Sequence, residues 1–273
     1  MTRRRTSLTV SGIDQNHNPE FWTCEFYKTY ANLDDLIAMT ENLFHLLATT
    51  CRALKLSSST LKGCDLEFKP PYRQLAYIPA LSSAMKTKLP HLDSSDAESQ
   101  LSHVFAMRNI KLPTPPTIPR MLDKLFAKYV EPQCKEPTWI INHPECLSPL
   151  SKSFQHPKHG YQVAARAELY VNGQELVNTY EEENSPIEQR RKFEAQLHYK
   201  DPEAASDKVD ESYLEALQWG MPPTGGWGCG IERLVMLFAG TERIADTLSF
   251  GNLRHVVSKP QQNSLSGPVN SPP

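Results

Sequence analysis

Gly226, Gly228 and Gly230, followed by Arg233 within the apolar run 231–238, are the residues best suited to chemistry by type and spacing. Alternate glycines let a backbone lie close to a flat or anionic ligand. An arginine in the first turn of the next helix then offers phosphate a fork of donors. This is the outline of a nucleotide site. The same residues also suit a tight strand-to-helix turn with Arg233 paired to a surface carboxylate, so the pattern alone leaves both readings open.

A second group is acidic. Asn172-Gly173 lies between two alternating runs, 161–171 and 174–180, and predicts a hairpin with a two-residue turn. Such a turn sets Glu168 opposite Val177 and Tyr170 opposite Glu175, with Glu168 and Glu175 on one face. Two carboxylates placed so repel each other unless a cation separates them, and their hard oxygens suit Mg²⁺ shared with phosphates. A solvated acidic face is the plainer alternative. Asn178, Tyr180, Glu181 and Glu182 follow at once. Strict alternation turns Asn178 away from Glu175, so a joint role requires a bulge.

A third group precedes and occupies another strand. His17, Asn18 and Phe21 could cradle a base and a phosphate tail, or form an ordinary polar turn. The alternation of 21–27 puts Phe21, Glu25 and Tyr27 on one face and Trp22, Cys24 and Phe26 on the other.

The elements that must position these residues are also legible. Asn32 can cap a helix whose stripe is Leu36, Leu43, Phe44, Leu47, Cys51 and Leu54. A second helix is predicted from Thr117, burying Leu122, Leu125, Phe126, Tyr129 and Val130, and a short strand at 138–141 leads into Asn142-His143-Pro144. Ser185-Pro186-Ile187-Glu188 is a capping box. Asp210 caps a further helix that stops at Gly220. Between 57 and 116 the pattern loosens and reads as an insertion, while 258–273 has the composition of a disordered tail. Antiparallel strands with helices packed on one side make an α+β domain.

Bulk properties narrow the partners. Lys and Arg number 29 against 31 Asp and Glu, a net charge of −2, so no strongly basic surface announces nucleic acid. The six cysteines form no CxxC pair and read as scattered thiols in a reducing compartment. No apolar run approaches the roughly 20 residues that span a bilayer.

Taken in order, these segments resemble the catalytic domain of class II aminoacyl-tRNA synthetases, and within them the lysyl-tRNA synthetases. The resemblance rests on Gly12-Ile13-Asp14 with residues 17–21 and 25–27, and on Asn142-His143-Pro144 with Ser148-Pro149-Leu150. It continues through Glu168, residues 172–175, Asn178 and the glycine-Arg233 segment. It implies that Phe21 stacks on adenine, that His17 and Asn18 contact ATP, and that Arg233, the catalytic arginine, holds the γ-phosphate. It further implies that Glu168 and Glu175 ligate Mg²⁺, and that Glu25, Tyr27, Asn178, Tyr180, Glu182 and Gly228 form the lysine pocket. A lysine ammonium wants carboxylates, whereas an aspartate substrate would want arginine there. The implied partners are lysine, ATP and tRNA(Lys), and the implied compartment is mitochondrial, because 251–254 and the insertion look most like the fungal mitochondrial branch.

The chain also departs from that family. Leu8-Thr9-Val10-Ser11 stand where the second motif opens with Phe-Arg-Asn-Glu, and Ala245 stands before Asp246 where arginine is usual. Neither the first motif, which builds the family's homodimer interface, nor the anticodon-binding barrel is recognised. These departures predict an amino-terminally truncated catalytic domain, 12–257, behind an atypical basic leader, 1–11. Two other readings remain: a protein-modifying lysyl transferase paralogue, and an inactive remnant.

Overall fold

The computed structural model describes residues 2–6, 20–53, 66–158, 160–199 and 208–248. His17, Asn18, Leu54 and the stretch 258–273, on which expectations were placed, lie outside them.

A seven-stranded sheet organises the chain. In chain order its strands are β1 (Thr2–Thr6), β2 (Glu20–Thr29), β3 (Arg73–Ala76), β4 (Thr138–Ile141), β7 (Arg166–Val171), β8 (Gln174–Glu181) and β9 (Thr224–Gly230). A separate two-stranded ribbon pairs β5 (Ser153–Gln155) with β6 (Gln162–Ala164). The large sheet runs β1-β2-β9-β8-β7-β4-β3, with every pair antiparallel except β3 and β4. The run 161–171 is therefore broken: it bends after Ala164, and only its second part enters the large sheet.

The glycine-rich segment is a strand rather than a turn. β9 lies in the middle of the sheet, pairing Gly228 with Glu25 on one side and with Asn178 on the other. Its alternation separates two surfaces. Trp227 and Cys229 face the core behind the sheet, where Trp227 stacks on Phe26 at 5.0 Å and donates its Nε1–H to Thr40 Oγ1 at 2.8 Å. Gly226, Gly228 and Gly230 face forward and leave a floor without side chains.

Behind the sheet lies α1 (Leu33–Ala53), which buries Leu36, Ile37, Phe44 and Ala48. Asn32 caps it as expected, accepting from Asp35 N at 2.8 Å while Asp35 Oδ2 accepts from Asn32 N. Gly225 lets α1 come close, since a Cβ there would stand 2.6 Å from Leu36 Cδ1. The buried Glu41 on α1 accepts from Tyr72 N and from Trp139 Nε1 at 3.0 and 3.1 Å, so its charge is met by two neutral donors. α7 (Ile231–Ala239) begins where β9 ends and adds Phe238 to the same core.

Helices cover both faces, not one. α2 (Tyr77–Met85), α3 (Ala97–Met107) and α4 (Ile118–Tyr129) form a second core with Ile140 and Tyr170, which stand on the front face. Part of the segment read as a loose insertion thus supplies edge strand β3 and two packed helices. Tyr77, Leu81, Met85, Leu101 and Phe105 supply the apolar side chains that its Pro and Ser clusters obscured. α5 (Pro186–Leu197) and α6 (Glu211–Gln218) start at the caps read from sequence: Ser185 accepts from Glu188 N, and Asp210 from Tyr213 N at 3.0 Å.

Candidate functional site

Register alone gathers most of the candidate residues on the front face. On β2 it places Phe21, Glu25 and Tyr27; on β9 Gly226 and Gly228; on β8 Glu175, Asn178 and Tyr180, with Glu182 just past its end; on β7 Arg166, Glu168 and Tyr170. The hairpin supplies the step that strict alternation lacks. Tyr170 pairs with Glu175, as expected, but Leu169 pairs with Val177 and Glu168 with Asn178 instead of Val177. The extra residue on β8 is Leu176, and both Leu176 and Val177 enter the rear core. Two successive apolar side chains drawn into one core make the bulge, which returns Asn178 to the face of Glu168 and Glu175.

At one end of this face is an unpaired acid. Glu182 is 5 % exposed, and its Oε1 has no hydrogen-bond partner. Burial pushes its carboxyl up to about 8. The space it occupies exists because residue 226 has no side chain: a Cβ at Gly226 would stand 1.9 Å from Glu182 Oε1 and 3.3 Å from Tyr27 Cε1. Burial first, and the Glu182 charge second, raise the hydroxyls of Tyr180 and of Tyr213 on α6. Across the glycine floor stands Glu25, whose Oε1 accepts from Thr23 Oγ1 at 3.0 Å. A Cβ on Gly228 would lie 3.8 Å from Glu25 Cγ and 3.9 Å from Asn178 O, so any side chain there would enter the space between them.

At the other end acids and arginines alternate. Arg166 is a hub: Nε donates to Asn178 Oδ1 at 3.0 Å, Nη1 to Leu147 O and Ser148 Oγ at 2.9 and 3.0 Å, and Nη2 to Glu168 Oε1. Glu168 Oε2 meets His143 Nε2 at 3.0 Å and the Tyr170 hydroxyl at 3.2 Å. Burial would raise the Glu168 carboxyl, but Arg166 and His143 outweigh it and hold the group below the ordinary glutamate range. Glu175 moves the other way. Enclosure, and then Glu168, push it up to about 7 against the opposing pull of Arg233 and Arg166. Arg233, in the first turn of α7, donates Nη1 to Glu175 O at 2.8 Å and stands 3.6 Å from Glu175 Oε2.

These carboxylates fit a hard cation. Burial first and the Glu168 charge second raise Glu175, a situation that a divalent ion relieves. Among the described residues no three His, Cys, Asp or Glu side chains converge as a metal cage. A pair of carboxylates suits magnesium, which is usually held by one or two carboxylates together with substrate phosphates rather than by an all-protein cage.

Sequence reasoning missed four contributors: Arg166, His143, Tyr213 and Glu131. Arg166 was available in principle, being two residues before Glu168 and so on its face. Glu131, pushed up to about 7 by burial and then by Asp123 and Glu168, comes from the turn after α4, and no spacing links it to the hairpin. A cavity of about 120 Å³ lined by residues including Ile118, Cys146, Lys192 and Tyr199 shares none of the site residues.

A family model described as class II tRNA synthetases (D, K and N) matches residues 11–254. The chain belongs to this family of class II synthetases. As a class II synthetase it has many curated relatives. It is 40 % identical over 255 residues to the mitochondrial lysine–tRNA ligase of Schizosaccharomyces pombe, covering 90 % of this chain and 46 % of that protein. It is 38 % identical over 250 residues to the lysine–tRNA ligase of Mycoplasmopsis synoviae, covering 91 % and 48 %. It is 36 % identical over 255 residues to a probable cytoplasmic lysine–tRNA ligase of Encephalitozoon cuniculi, covering 89 % and 49 %. This class II synthetase chain therefore spans about half the length of the curated relatives it matches. Among its described residues no helix is long and apolar enough to cross a membrane.

Proposed function

We propose that this chain is the lysine-activating domain of a lysine–tRNA ligase. One observation carries the reading: Glu182, buried and partnerless at Oε1, fills the space over Gly226 beside Tyr27, on the face that also carries Glu25. A carboxylate with its pKa raised to about 8 by burial is a group awaiting a cation. A lysine ammonium supplies three donors and one positive charge, and Glu182 and Glu25 can share them. The names of the relatives support the same substrate.

The reaction is attack of the lysine carboxylate oxygen on the ATP α-phosphorus. One P–O bond forms and the bond to pyrophosphate breaks, leaving lysyl-adenylate; a ribose hydroxyl at the 3′ end of tRNA(Lys) then attacks its carbonyl carbon, forming the ester as the bond to AMP breaks and AMP leaves. Phe21 supports the adenine, with His17 and Asn18 completing the nucleotide site. Arg233, at the positive end of α7, holds the γ-phosphate. Asn178, Tyr180, Tyr27 and the Gly228 floor orient lysine beside Glu25 and Glu182. Glu168 and Glu175 would hold Mg²⁺, which when bound offsets phosphate charge. Catalysis rests on placing the two substrates and on fixed positive charge, without a covalent enzyme intermediate. The mitochondrial relative supports a mitochondrial compartment, which fractionation of the source cells would check.

The test is exchange of labelled pyrophosphate into ATP. Exchange that requires lysine and is not supported by aspartate or asparagine is the expected result. No lysine-dependent exchange above background sinks the reading, and exchange driven equally by aspartate sinks the lysine assignment.

A further inference from the structure

Glu168 is held by His143, Arg166 and Tyr170, and the first two of these depend on one segment. Residues 142–148 follow β4, turning at Asn142, whose φ of 54° lies in the left-handed region. The turn brings His143 Nε2 to Glu168 Oε2. The same segment fixes the guanidinium that holds the other oxygen, since Arg166 Nη1 donates to Leu147 O and Ser148 Oγ while Nη2 donates to Glu168 Oε1. The His143 ring is braced in turn: Tyr77 lies over it at 5.2 Å between centroids and stacks on Phe126 at 4.2 Å. His143 is 1 % exposed, and its Nε2 faces a carboxylate oxygen that can only accept, so it serves as a donor through Nε2–H. That tautomer follows from its acceptor-only partner.

A carboxylate offers about four lone-pair positions, two on each oxygen. His143 and the Tyr170 hydroxyl take both positions on Oε2, and Arg166 takes one on Oε1. Among the described residues none takes the remaining position, on Oε1. We infer that the 142–148 segment, acting through His143 and Arg166, is an orienting clamp that presents Glu168 to a nucleotide-bound divalent cation as a one-oxygen ligand. His143 is a positioning residue in this scheme and touches neither substrate. The inference rests on the metal role proposed for Glu168. Its general logic is that groups behind a ligand fix its direction, and their loss typically weakens metal binding about 10–100-fold.

The test uses the full chain with Mn²⁺ as probe and a non-hydrolysable ATP analogue, bound Mn²⁺ being read by electron paramagnetic resonance. Lysine affinity without nucleotide and thermal melting are followed beside it. His143→Phe keeps a ring against Tyr77 and removes the donor, whereas His143→Gln restores an N–H. The expected result is that His143→Phe weakens Mn²⁺ binding on the order of tenfold or more and leaves lysine affinity within about twofold, while His143→Gln recovers most of the loss. Two results overturn the clamp: unchanged Mn²⁺ binding in His143→Phe, or parallel losses of Mn²⁺, lysine and melting temperature that His143→Gln does not repair. If the unaltered chain binds no Mn²⁺ with the analogue, the metal role itself falls. If it binds and His143→Phe equals it, only the clamp falls.

Discussion

Glu168 lies directly opposite Asn178, one residue further along β8 than a two-residue turn at Asn172-Gly173 would place it in a regular ladder. That single displacement decides which side chains share a surface. Without the bulge at Leu176, Asn178, Tyr180 and Glu182 would point into the rear core and Val177 would point out. The proposed lysine recess and the metal carboxylates occupy one surface because of it.

Lysine binding should release a proton near neutral pH. Free Glu182 holds its proton up to about 8, and an ammonium beside it would pull that value down. Calorimetry at pH 7 in buffers of different ionisation enthalpy should then find up to one proton released per lysine. Affinity should rise from pH 6 to 8, and pH-independent binding without proton release would contradict the pairing.

Glu182→Gln should separate binding from stability. Loss of the charge should raise the lysine KM by about 10–100-fold, the range of a charge-assisted hydrogen bond. Stability moves the other way. The folded-state pKa stands above the ordinary 4.5, so the folded chain binds the proton more tightly than the unfolded chain. Stability is therefore lost as pH rises from about 4.5 to 8. Melting curves should find the variant a few °C above the unaltered chain at pH 8 and level with it near pH 4.

Gly226→Ala tests the recess sterically. The new Cβ would collide with Glu182 Oε1, forcing the carboxylate to move. The lysine KM should rise at least tenfold with the ATP KM within about twofold, at a stability cost of roughly 1–3 kcal/mol. Steady-state exchange kinetics read both constants.

Arg233→Ala should lower kcat by about 10²–10³-fold, the usual loss for one fixed transition-state donor. Lysine affinity measured without ATP should stay close to that of the unaltered chain, since Arg233 contacts Glu175 at the far end of the face.

Glu41→Leu tests the rear support. It strands two donors, Tyr72 N and Trp139 Nε1. The cost should be about 2–5 kcal/mol in urea denaturation, with Glu41→Gln losing less because it keeps an acceptor.

Sequence periodicity carried much of this site. The alternation of 21–27 set Phe21, Glu25 and Tyr27 together, and the Asn172-Gly173 turn put Glu175 opposite Tyr170. It failed where long-range packing overrides local pattern. Leu176 and Val177 are adjacent apolar residues, and nothing nearby says that one core will take both. The glycines of 224–230 looked like a turn because a strand without front-facing side chains makes sense only once its neighbours β2 and β8 are known. Arg166 shares the face of Glu168 by its two-residue spacing, but His143 acts through a partner 25 residues away, a separation with no periodic signature.

The position of β9 between β2 and β8 has a consequence for biosynthesis. Strand β2 is synthesised well before β9 and α7, and its contacts with them join residues about 210 positions apart, as Trp22 N and Glu232 of α7 do. At roughly 5–20 residues per second the nascent β2 waits about 10–40 s with that edge open. The glycines that clear the floor of the site also contribute few apolar contacts to hold β9 once it arrives. Occupancy by a small ligand, and the help of a chaperone during the wait, should therefore matter more to the yield of folded chain than the propensities of its strands.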